Sequence, residues 1–455
     1  MSASLSHPER LTPPPPVPHT LADLGLPTER VEQLIVKTLF AGELTGLEMA
    51  ERMRVAYGIF EPLIVRLRTE QIIEVRGASA ASSSSYRYAL TDLGRSRALQ
   101  YLEINLYTGA MPVPLGAYVA QMKSLQAARG YIDRERLRKG FSHLVIDDQM
   151  LEKLGPAANA NKALFLYGPP GNGKTVIAEG LGRAIGGDMY MPHAIDVDGH
   201  IITMFDPINH ERLDSDEHDT TSIIAAEPSD RRWVRIRRPV VMVGGELTLD
   251  QLDLTFNPLA RFYEAPLQLR ANGGVFLVDD FGRQRIRPDE LLNRWIVPLE
   301  SRVDFLTLHT GKKFEVPFDV LTVFATNLDP ASLADEAFLR RIPYKIPVED
   351  PSLEDFIRIF ELNCRHRNLG FHKVMISYLQ RRHYKPLGRP LRACHPRDLL
   401  DQVLALCRYR GVEPTINREL LDAACASYFV HNELAPTTLP PRKAPVARRS
   451  AVGVH

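Results

Sequence analysis

A glycine-rich segment between residues 168 and 175, GPPGNGKT, has the residue types that bind phosphate. An apolar, strand-like run from Ala163 to Tyr167 precedes it, and helical spacing follows. Glycines let backbone N–H groups turn towards phosphate oxygens, a lysine reaches the terminal phosphates, and a threonine hydroxyl ligates Mg²⁺. A chance match is the competing interpretation, and the strand–loop–helix context argues against it. We therefore predict a nucleotide site formed by Gly168, Pro169, Pro170, Gly171, Asn172, Gly173, Lys174, Thr175 and Val176.

A second site segment, GGVFLVDDFGRQR, ends an apolar run in two adjacent aspartates. Parallel sheets place ligands at the carboxyl ends of their strands, so we expect Asp279 beside the phosphate loop, in the Mg²⁺ shell. Asp280 would orient or activate the attacking water. The alternative is that the pair only caps the following turn. Asp280 is one methylene shorter than the glutamate usual here, which favours slow hydrolysis over none.

A third strand-like run, VLTVFATN, ends in Asn327, whose amide would contact the γ-phosphate and the water. Downstream, Arg340 and Arg341 are adjacent, and an arginine near the γ-phosphate stabilises transition-state charge. One of them would serve a neighbouring subunit's nucleotide. The alternative is a surface ion pair with Asp335 or Glu336.

A final candidate is Arg397 in GRPLRACHPRDLL, where Pro396 marks the first turn of a helix. This arginine would hold the nucleotide from a lid. The alternative is a helix-start arginine bonded to local carboxylates.

Composition limits the class of protein that carries these residues. The 455 residues suffice for about three domains. The 44% apolar and 24% charged content is typical of a globular protein, and the net charge of +1 argues against a nucleic-acid coat protein. No apolar run would span a bilayer and no secretory signal is evident, so we expect a cytoplasmic protein. The four cysteines form no CxxC pair, which favours reduced, buried thiols over a zinc site at Cys394 and His395.

The N-terminal region has the pattern of a small domain of its own. Helical spacing from Thr28, a capping box at Thr45 and Glu48, and two strand-like runs resemble a winged helix. A further helix would begin at Thr91. Between residues 54 and 87 there are five arginines and three glutamates, a weak basic excess for phosphate neutralisation. Protein interaction is therefore favoured over DNA binding.

These patterns predict six segments. They are a disordered Pro-rich segment (1–25), a winged-helix-like domain (26–106), a linker (107–139), an α/β nucleotide-binding domain with a parallel sheet (140–348), an all-α lid (349–432) and a disordered basic tail (433–455).

The motifs, in this order, resemble those of AAA+ ATPases over roughly residues 140–430. GPPGNGKT is similar to Walker A, VFLVDD to Walker B, FATN to sensor 1, AFLRRI to the arginine-finger region and HPRDL to sensor 2. Two alternating strands around Thr310 and Gly311 resemble the hairpin that MoxR-type members insert before sensor 1. The ensemble is similar to bacterial chaperone-like ATPases associated with Flp (tight-adherence) pilus assembly.

The resemblance implies an ATPase that uses ATP and Mg²⁺ to remodel or assemble a protein partner, in a homo-oligomeric, hexameric ring. The partner is not identified by the sequence. Two alternatives stay open. One is a DNA-bound ATPase or regulator acting through the winged-helix region, and the other is a nucleotide-gated scaffold with little turnover. The all-α lid and the Asn327 strand disfavour a P-loop kinase.

Overall fold

The computed structural model describes residues 12–78, 82–213, 229–333 and 336–429. The chain forms two compact units, one up to Asp350 and one from Pro351. Within the described residues, no helix is long and apolar enough to cross a membrane. The disorder predicted for residues 1–11 and for 433–455 lies outside the described residues, as does part of the loop predicted around residues 78–85.

The first unit begins with four helices and three short strands. They are α1 (Thr28–Phe40), β1 (Leu44–Thr45), α2 (Gly46–Met53), α3 (Tyr57–Thr69), β2 (Ile73–Ala78), β3 (Tyr86–Leu90) and α4 (Asp92–Ile104). The strands form an antiparallel sheet in the order β1-β3-β2. The predicted capping box is confirmed, because Thr45 accepts from the Glu48 N–H and Glu48 accepts from the Thr45 N–H. Thr91 caps α4, also as predicted.

The Pro-rich segment at residues 12–18 is packed against the first unit, which differs from the predicted disorder. The Gln121 side-chain amide donates to the carbonyl oxygen of Pro13 at 2.8 Å, and the Asp230 N–H donates to that of Pro15 at 3.1 Å. Every third residue is buried: Thr12, Pro15 and Pro18. A polyproline helix has three residues per turn and leaves its carbonyls unbonded, so one face can pack while the carbonyls accept from the protein.

Residues 107–139, predicted as a linker, are part of the folded core. They form β4 (Val113–Pro114), α5 (Leu115–Ala128) and α6 (Arg134–Gly140). Tyr118 is fully buried, and its hydroxyl accepts a 2.8 Å hydrogen bond from the Asn272 amide. The apolar stretches of this segment are short and alternate with polar ones, so the sequence pattern did not indicate burial.

The remainder of the first unit contains the α/β core. Its elements are α7 (Asp148–Ala160), β5 (Leu164–Tyr167), α8 (Lys174–Ile185), β6 (Asp188–Pro192), β7 (Ala194–Val197), β8 (His200–Thr203), β9 (Trp233–Arg237), β10 (Val240–Val243), β11 (Thr255–Asn257), β12 (Phe262–Glu264), α9 (Leu267–Arg270), β13 (Val275–Val278), α10 (Pro288–Arg294), α11 (Ile296–Ser301), β14 (Val303–Thr307), β15 (Lys313–Pro317), β16 (Leu321–Thr326), α12 (Glu336–Leu339) and β17 (Tyr344–Pro347).

Five of these strands form the central sheet in the order β10-β13-β16-β5-β17, and every pairing is parallel. All residues of β13 and β16 are buried, as expected for apolar strands covered on both faces. Helix α8 packs Ile177, Leu181 and Ile185 on this core at helical spacing. The predicted parallel sheet is thus present, and it aligns the carboxyl ends of β5, β13 and β16.

A second five-stranded sheet has the order β11-β12-β8-β7-β4, and its members come from the segment between α8 and β13 and from the predicted linker. The predicted hairpin is present as the antiparallel pair β14 and β15. Its tip contacts the second sheet through His309, whose backbone N–H donates to the Tyr263 hydroxyl at 3.0 Å and whose ring stacks on Phe256. The hairpin is therefore packed against this second sheet, which we call the inserted sheet.

The described residues of the second unit contain helices and turns. They form α13 (Leu353–His366), α14 (Lys373–Leu379), a π-helical turn (Gln380–Tyr384), α15 (His395–Arg410) and α16 (Arg418–Tyr428). All four cysteines lie here, and none forms a disulfide. Three are buried and Cys394 is half-buried, where burial raises its thiol pKa. Within the described residues, no group of three or more His, Cys, Asp or Glu side chains could hold a metal ion.

A buried carboxylate, Asp319, connects the amino end of β16 to the surrounding helices. It pairs with Arg129 at 3.0 Å and Arg302 at 3.4 Å, and it accepts from the Asn161 amide at 2.7 Å. The Asn272 side chain accepts from the Asp319 backbone N–H. Because β16 carries Asn327 just past its far end, this network helps to fix the strand that positions the candidate site.

We expect Asp319→Asn to destabilise the first unit by about 3–5 kcal/mol, because it leaves two guanidinium groups without their buried counter-charge. Urea unfolding followed by tryptophan fluorescence measures this, since both tryptophans, Trp233 and Trp295, lie in the first unit. The control is Glu211→Ala, which removes a 3.4 Å pair with Arg237 whose two side chains are each 61% exposed. We expect it to cost at most about 1 kcal/mol. Equal effects of the two substitutions would contradict the role given to Asp319.

Candidate active site

The phosphate loop joins the carboxyl end of β5 to the amino end of α8. Gly168 has φ +137°, and a Cβ atom there would lie 2.5 Å from the Val348 carbonyl oxygen. Gly173, the N-cap of α8, has φ +82° and provides no side-chain cap. The first N–H groups of α8 are therefore available to an anion, and they lie at the positive end of the helix dipole. Glycine is required at both positions because the backbone there has a positive φ, which residues with side chains disfavour.

Lys174 is the first residue of α8 and is 7% exposed. Its ammonium donates to the carbonyl oxygens of Gly168 at 2.9 Å and Pro169 at 3.0 Å. It also donates to the side-chain oxygen of Asn327 at 2.6 Å. The lysine therefore spans the loop and reaches the end of β16, the strand next to β5.

Thr175 and Asp279 meet across the sheet edge, where the threonine hydroxyl donates to a carboxylate oxygen of Asp279 at 2.6 Å. Asp279 directly follows β13, and its N–H continues the parallel ladder to the Val243 carbonyl oxygen. A hydroxyl and a carboxylate side by side supply the oxygen ligands that Mg²⁺ prefers. The donor set thus fits a magnesium ion bound with nucleotide phosphates.

Asp280 is exposed and has φ +50°, a left-handed backbone conformation. Its carboxylate accepts from the Asn327 amide at 3.0 Å, and its N–H donates to the Asp279 side chain at 2.9 Å. Aspartate tolerates left-handed backbone better than glutamate, because its short side chain bonds locally. The backbone therefore gives a physical reason for aspartate at this position.

The structure brings Lys174, Thr175, Asp279, Asp280 and Asn327 together, as the sequence indicated. Two chains of contact result, one from Lys174 through Asn327 to Asp280 and one from Thr175 to Asp279. The capping alternative for the two aspartates does not account for contacts to residues on two other elements. This arrangement can bind phosphate and a hard cation and can place a carboxylate beside the bound phosphates.

The other predicted loop residues differ in their burial and contacts. Asn172 is buried, and its amide donates to the Asp350 carboxylate at 2.7 Å, which ties the loop to the segment after β17. Pro170 is exposed and Val176 is half-buried. Sequence reasoning missed Asp350, although its place just after an apolar strand next to β5 was a usable signal.

Arg340 and Arg341 follow α12. The Arg341 guanidinium donates to the Glu300 carboxylate at 2.6 Å. The alternative interpretation named Asp335 or Glu336 as the partner, and Asp335 lies outside the described residues. Arg340 is exposed and forms no ion pair with any described residue. Arg341 is therefore paired with Glu300 of the same chain, whereas the Arg340 side chain is exposed to solvent.

Arg397 lies in the first turn of α15 in the second unit. Its guanidinium donates to the Asp398 carboxylate at 2.8 Å, which raises the arginine's pKa, and 60% of its side chain is exposed. The Tyr428 hydroxyl donates to the other Asp398 oxygen at 2.8 Å. The predicted alternative, a helix-start arginine bonded to a local carboxylate, describes this contact.

Comparison with known proteins gives one family match and one local relative. A family described as a domain of unknown function (DUF8689) matches residues 352–427. A stretch of 54 residues is 41% identical to the vesicle-fusing ATPase of Dictyostelium discoideum and covers 12% of this chain and 7% of that protein. The relative is named an ATPase, which agrees with the chemistry of the phosphate loop, and the match spans a small part of its length.

Solved structures with similarity include RuvB of Thermotoga maritima and NtrX of Brucella abortus. A RuvB variant is 12% identical with a TM-score of 0.35, covering 65% of this chain and 70% of that chain. NtrX is 16% identical with a TM-score of 0.38, covering 71% of this chain and 66% of that chain.

We expect Asp280→Glu to destabilise the first unit by about 1 kcal/mol, because glutamate gains less from the left-handed conformation than aspartate does. Asp280→Asn is the matched control, and we expect a change within about 0.5 kcal/mol because asparagine also accepts this conformation. Urea midpoints from tryptophan fluorescence, at constant denaturant slope, provide the measurement. A glutamate variant as stable as the wild type would show that the backbone does not select aspartate.

Proposed function

We propose that this protein is a Mg²⁺-dependent ATPase of the AAA+ type that remodels or assembles a protein partner. The observation that carries the proposal is the junction of Lys174, Asn327 and Asp280 at the carboxyl edge of a parallel sheet. Phosphate, cation and water-positioning groups come from three different strands and one helix, an arrangement that suits phosphoryl transfer to water.

In the proposed reaction, the loop N–H groups and Lys174 bind the β- and γ-phosphates of ATP. Thr175 and Asp279 would hold a Mg²⁺ ion, which would supply charge neutralisation for the phosphates. Asp280 accepts a proton from water as the water oxygen bonds to the γ-phosphorus, and the bond from that phosphorus to the β-phosphate oxygen breaks to release ADP and phosphate. The Asn327 amide keeps the carboxylate aligned. Asn327 also accepts from Lys174, so a single side chain connects the lysine and the base by hydrogen bonds.

The finer assignments follow the motif resemblance. Residues 26–106, with three helices before the antiparallel strands β2 and β3, would be a winged-helix domain, and the helices after Pro351 would be the lid. Arg397 would contact nucleotide from that lid, after exchanging Asp398 for a phosphate oxygen. A role in Flp pilus assembly or secretion is part of the same proposal, and it rests on the sequence resemblance.

A ring is proposed because an arginine that acts on a neighbour's nucleotide requires a head-to-tail interface, which closes by rotation. A hexamer is the expectation from the AAA+ resemblance. Arg341 would leave Glu300 to reach across the interface, whereas Arg340 is already in solvent. Both arginines therefore stay candidates for this role.

The DNA-binding alternative is disfavoured by charge pairing in the N-terminal region. Arg54 pairs with Glu51, Arg66 with Glu32 and Glu70, and Arg76 with Glu43 and Glu74. A phosphate backbone would have to compete with these carboxylates. The paired surface supports protein interaction instead. A scaffold with little turnover is opposed by the site's carboxylates and amide, because Asp280 accepts from Asn327, which also accepts from Lys174.

We expect steady-state ATP turnover by the purified protein, and we expect Lys174→Ala to abolish it through lost phosphate binding. Asp280→Asn should reduce the turnover number by about 10²–10⁴, the usual contribution of a general base, while ATP still binds. Nucleotide binding is measured separately with a fluorescent ATP analogue. Tight ATP binding by a wild type that does not turn over would replace the motor with the nucleotide-gated scaffold.

We expect a mixture of inactive variants to regain turnover if an arginine acts between subunits. Lys174→Ala subunits retain both arginines, and subunits with the active-site lysine but lacking the finger retain a competent loop. Lys174→Ala is mixed with Arg341→Ala and, in parallel, with Arg340→Ala. Activity should return in the mixture whose arginine variant lacks the finger, because its intact loop receives that arginine from a Lys174→Ala neighbour. Light scattering with and without ATP reports the ring, and no recovery in either mixture would contradict a finger at these positions.

A further inference from the structure

The turn that presents Asp280 has an unusual backbone. Asp280 has φ +50° and Gly282 has φ +99°, so two of three consecutive residues are left-handed. Left-handed conformations are costly for residues with side chains and persist only where surrounding contacts hold them. The direction of the Asp280 carboxylate therefore depends on what fixes this turn.

One side of the turn is anchored to the central sheet by Phe281. Its N–H donates to the Ala325 carbonyl oxygen at 2.7 Å, and its carbonyl oxygen accepts from the Thr326 hydroxyl at 2.8 Å. The phenylalanine ring is buried in the core beneath the sheet edge. These contacts fix the residue after Asp280 but leave the rest of the turn to other groups.

The Arg283 N–H closes the turn on the Asp280 carbonyl oxygen at 2.9 Å, and a further anchor is the side chain of Gln284. Its amide N–H donates to the Asp279 carbonyl oxygen at 2.7 Å, and its amide oxygen accepts from the Gly282 N–H at 2.8 Å. A single half-buried side chain thus bridges the residue before Asp280 and the glycine two positions after it. An amide is suited to this task because it has a donor and an acceptor at one end.

We infer that Gln284 is a positioning residue for ATP hydrolysis, holding the left-handed turn that directs Asp280 towards Asn327. Among the described residues it forms no hydrogen bond with the phosphate loop, and it would act through the backbone on both sides of Asp280. The inference rests on the proposed ATPase function. A base displaced by about 1 Å loses much of its effect, so a loosened turn would slow chemistry without weakening nucleotide binding.

The first test uses Gln284→Ala, which removes both bonds. We expect kcat to fall by about 10- to 100-fold, with the dissociation constant for a fluorescent ATP analogue and the melting temperature near their wild-type values. The control is Arg285→Ala in the same turn. Arg285 is exposed, and its backbone N–H bond to the Gly245 carbonyl oxygen would survive the substitution. We expect wild-type kcat for this control.

The second test uses Gln284→Glu, which keeps the acceptor for the Gly282 N–H but replaces the donor. A carboxylate would face the Asp279 carbonyl oxygen without a proton to donate to it. We therefore expect kcat to fall in Gln284→Glu as well, with the dissociation constant for the fluorescent ATP analogue near its wild-type value.

The outcomes separate the two proposals. Wild-type turnover decides the ATPase function, and without it the inference about Gln284 fails as well. Given wild-type turnover, unchanged kcat in Gln284→Ala overturns the inference and leaves the ATPase function intact. Equal losses of kcat and nucleotide binding in Gln284→Ala, or wild-type kcat in Gln284→Glu, would show that Gln284 does not align Asp280.

Discussion

The parallel pairing of β16 with both β5 and β13 is the constraint on which the site depends. This pairing puts the carboxyl ends of three strands at one edge, and each strand is followed by a residue of the site. Asn327 lies between the other two, so its oxygen reaches Lys174 and its nitrogen reaches Asp280. A shift of one residue in either register would turn these side chains to the other face and separate them.

Backbone conformation explains features of the site that side-chain chemistry leaves open. Gly168 is required because a side chain would collide with the segment after β17. Asp280 lies in a left-handed position, which disfavours a longer carboxylate. The turn that holds it is bonded on one side to β16 and on the other to the Gln284 amide. The base is therefore placed by main-chain geometry as much as by its own contacts.

The N-terminal region and the inserted sheet are more closely joined to the nucleotide core than the sequence indicated. The Pro-rich segment accepts hydrogen bonds from α5 and from Asp230, which precedes β9, and β4 adds a strand to the inserted sheet. Buried packing of Tyr118 continues this connection into the core. Movements at the phosphate loop and at the N-terminal helices would thus share one packed unit rather than pass through a linker.

The sequence by itself determined the phosphate loop, the strand ends that bear Asp279, Asp280 and Asn327, the helix caps at Thr45 and Thr91, and the hairpin. These features depend on neighbouring residues, through apolar period, glycine and capping chemistry, and local patterns record them. Only the tertiary structure decided the packing of residues 12–18, the pairing of Arg341 with Glu300, and the hydrogen bond that joins Asp280 to Asn327. These contacts join groups whose proximity arises from strand order, turn geometry and burial, and such proximity is not encoded in any short window of the chain.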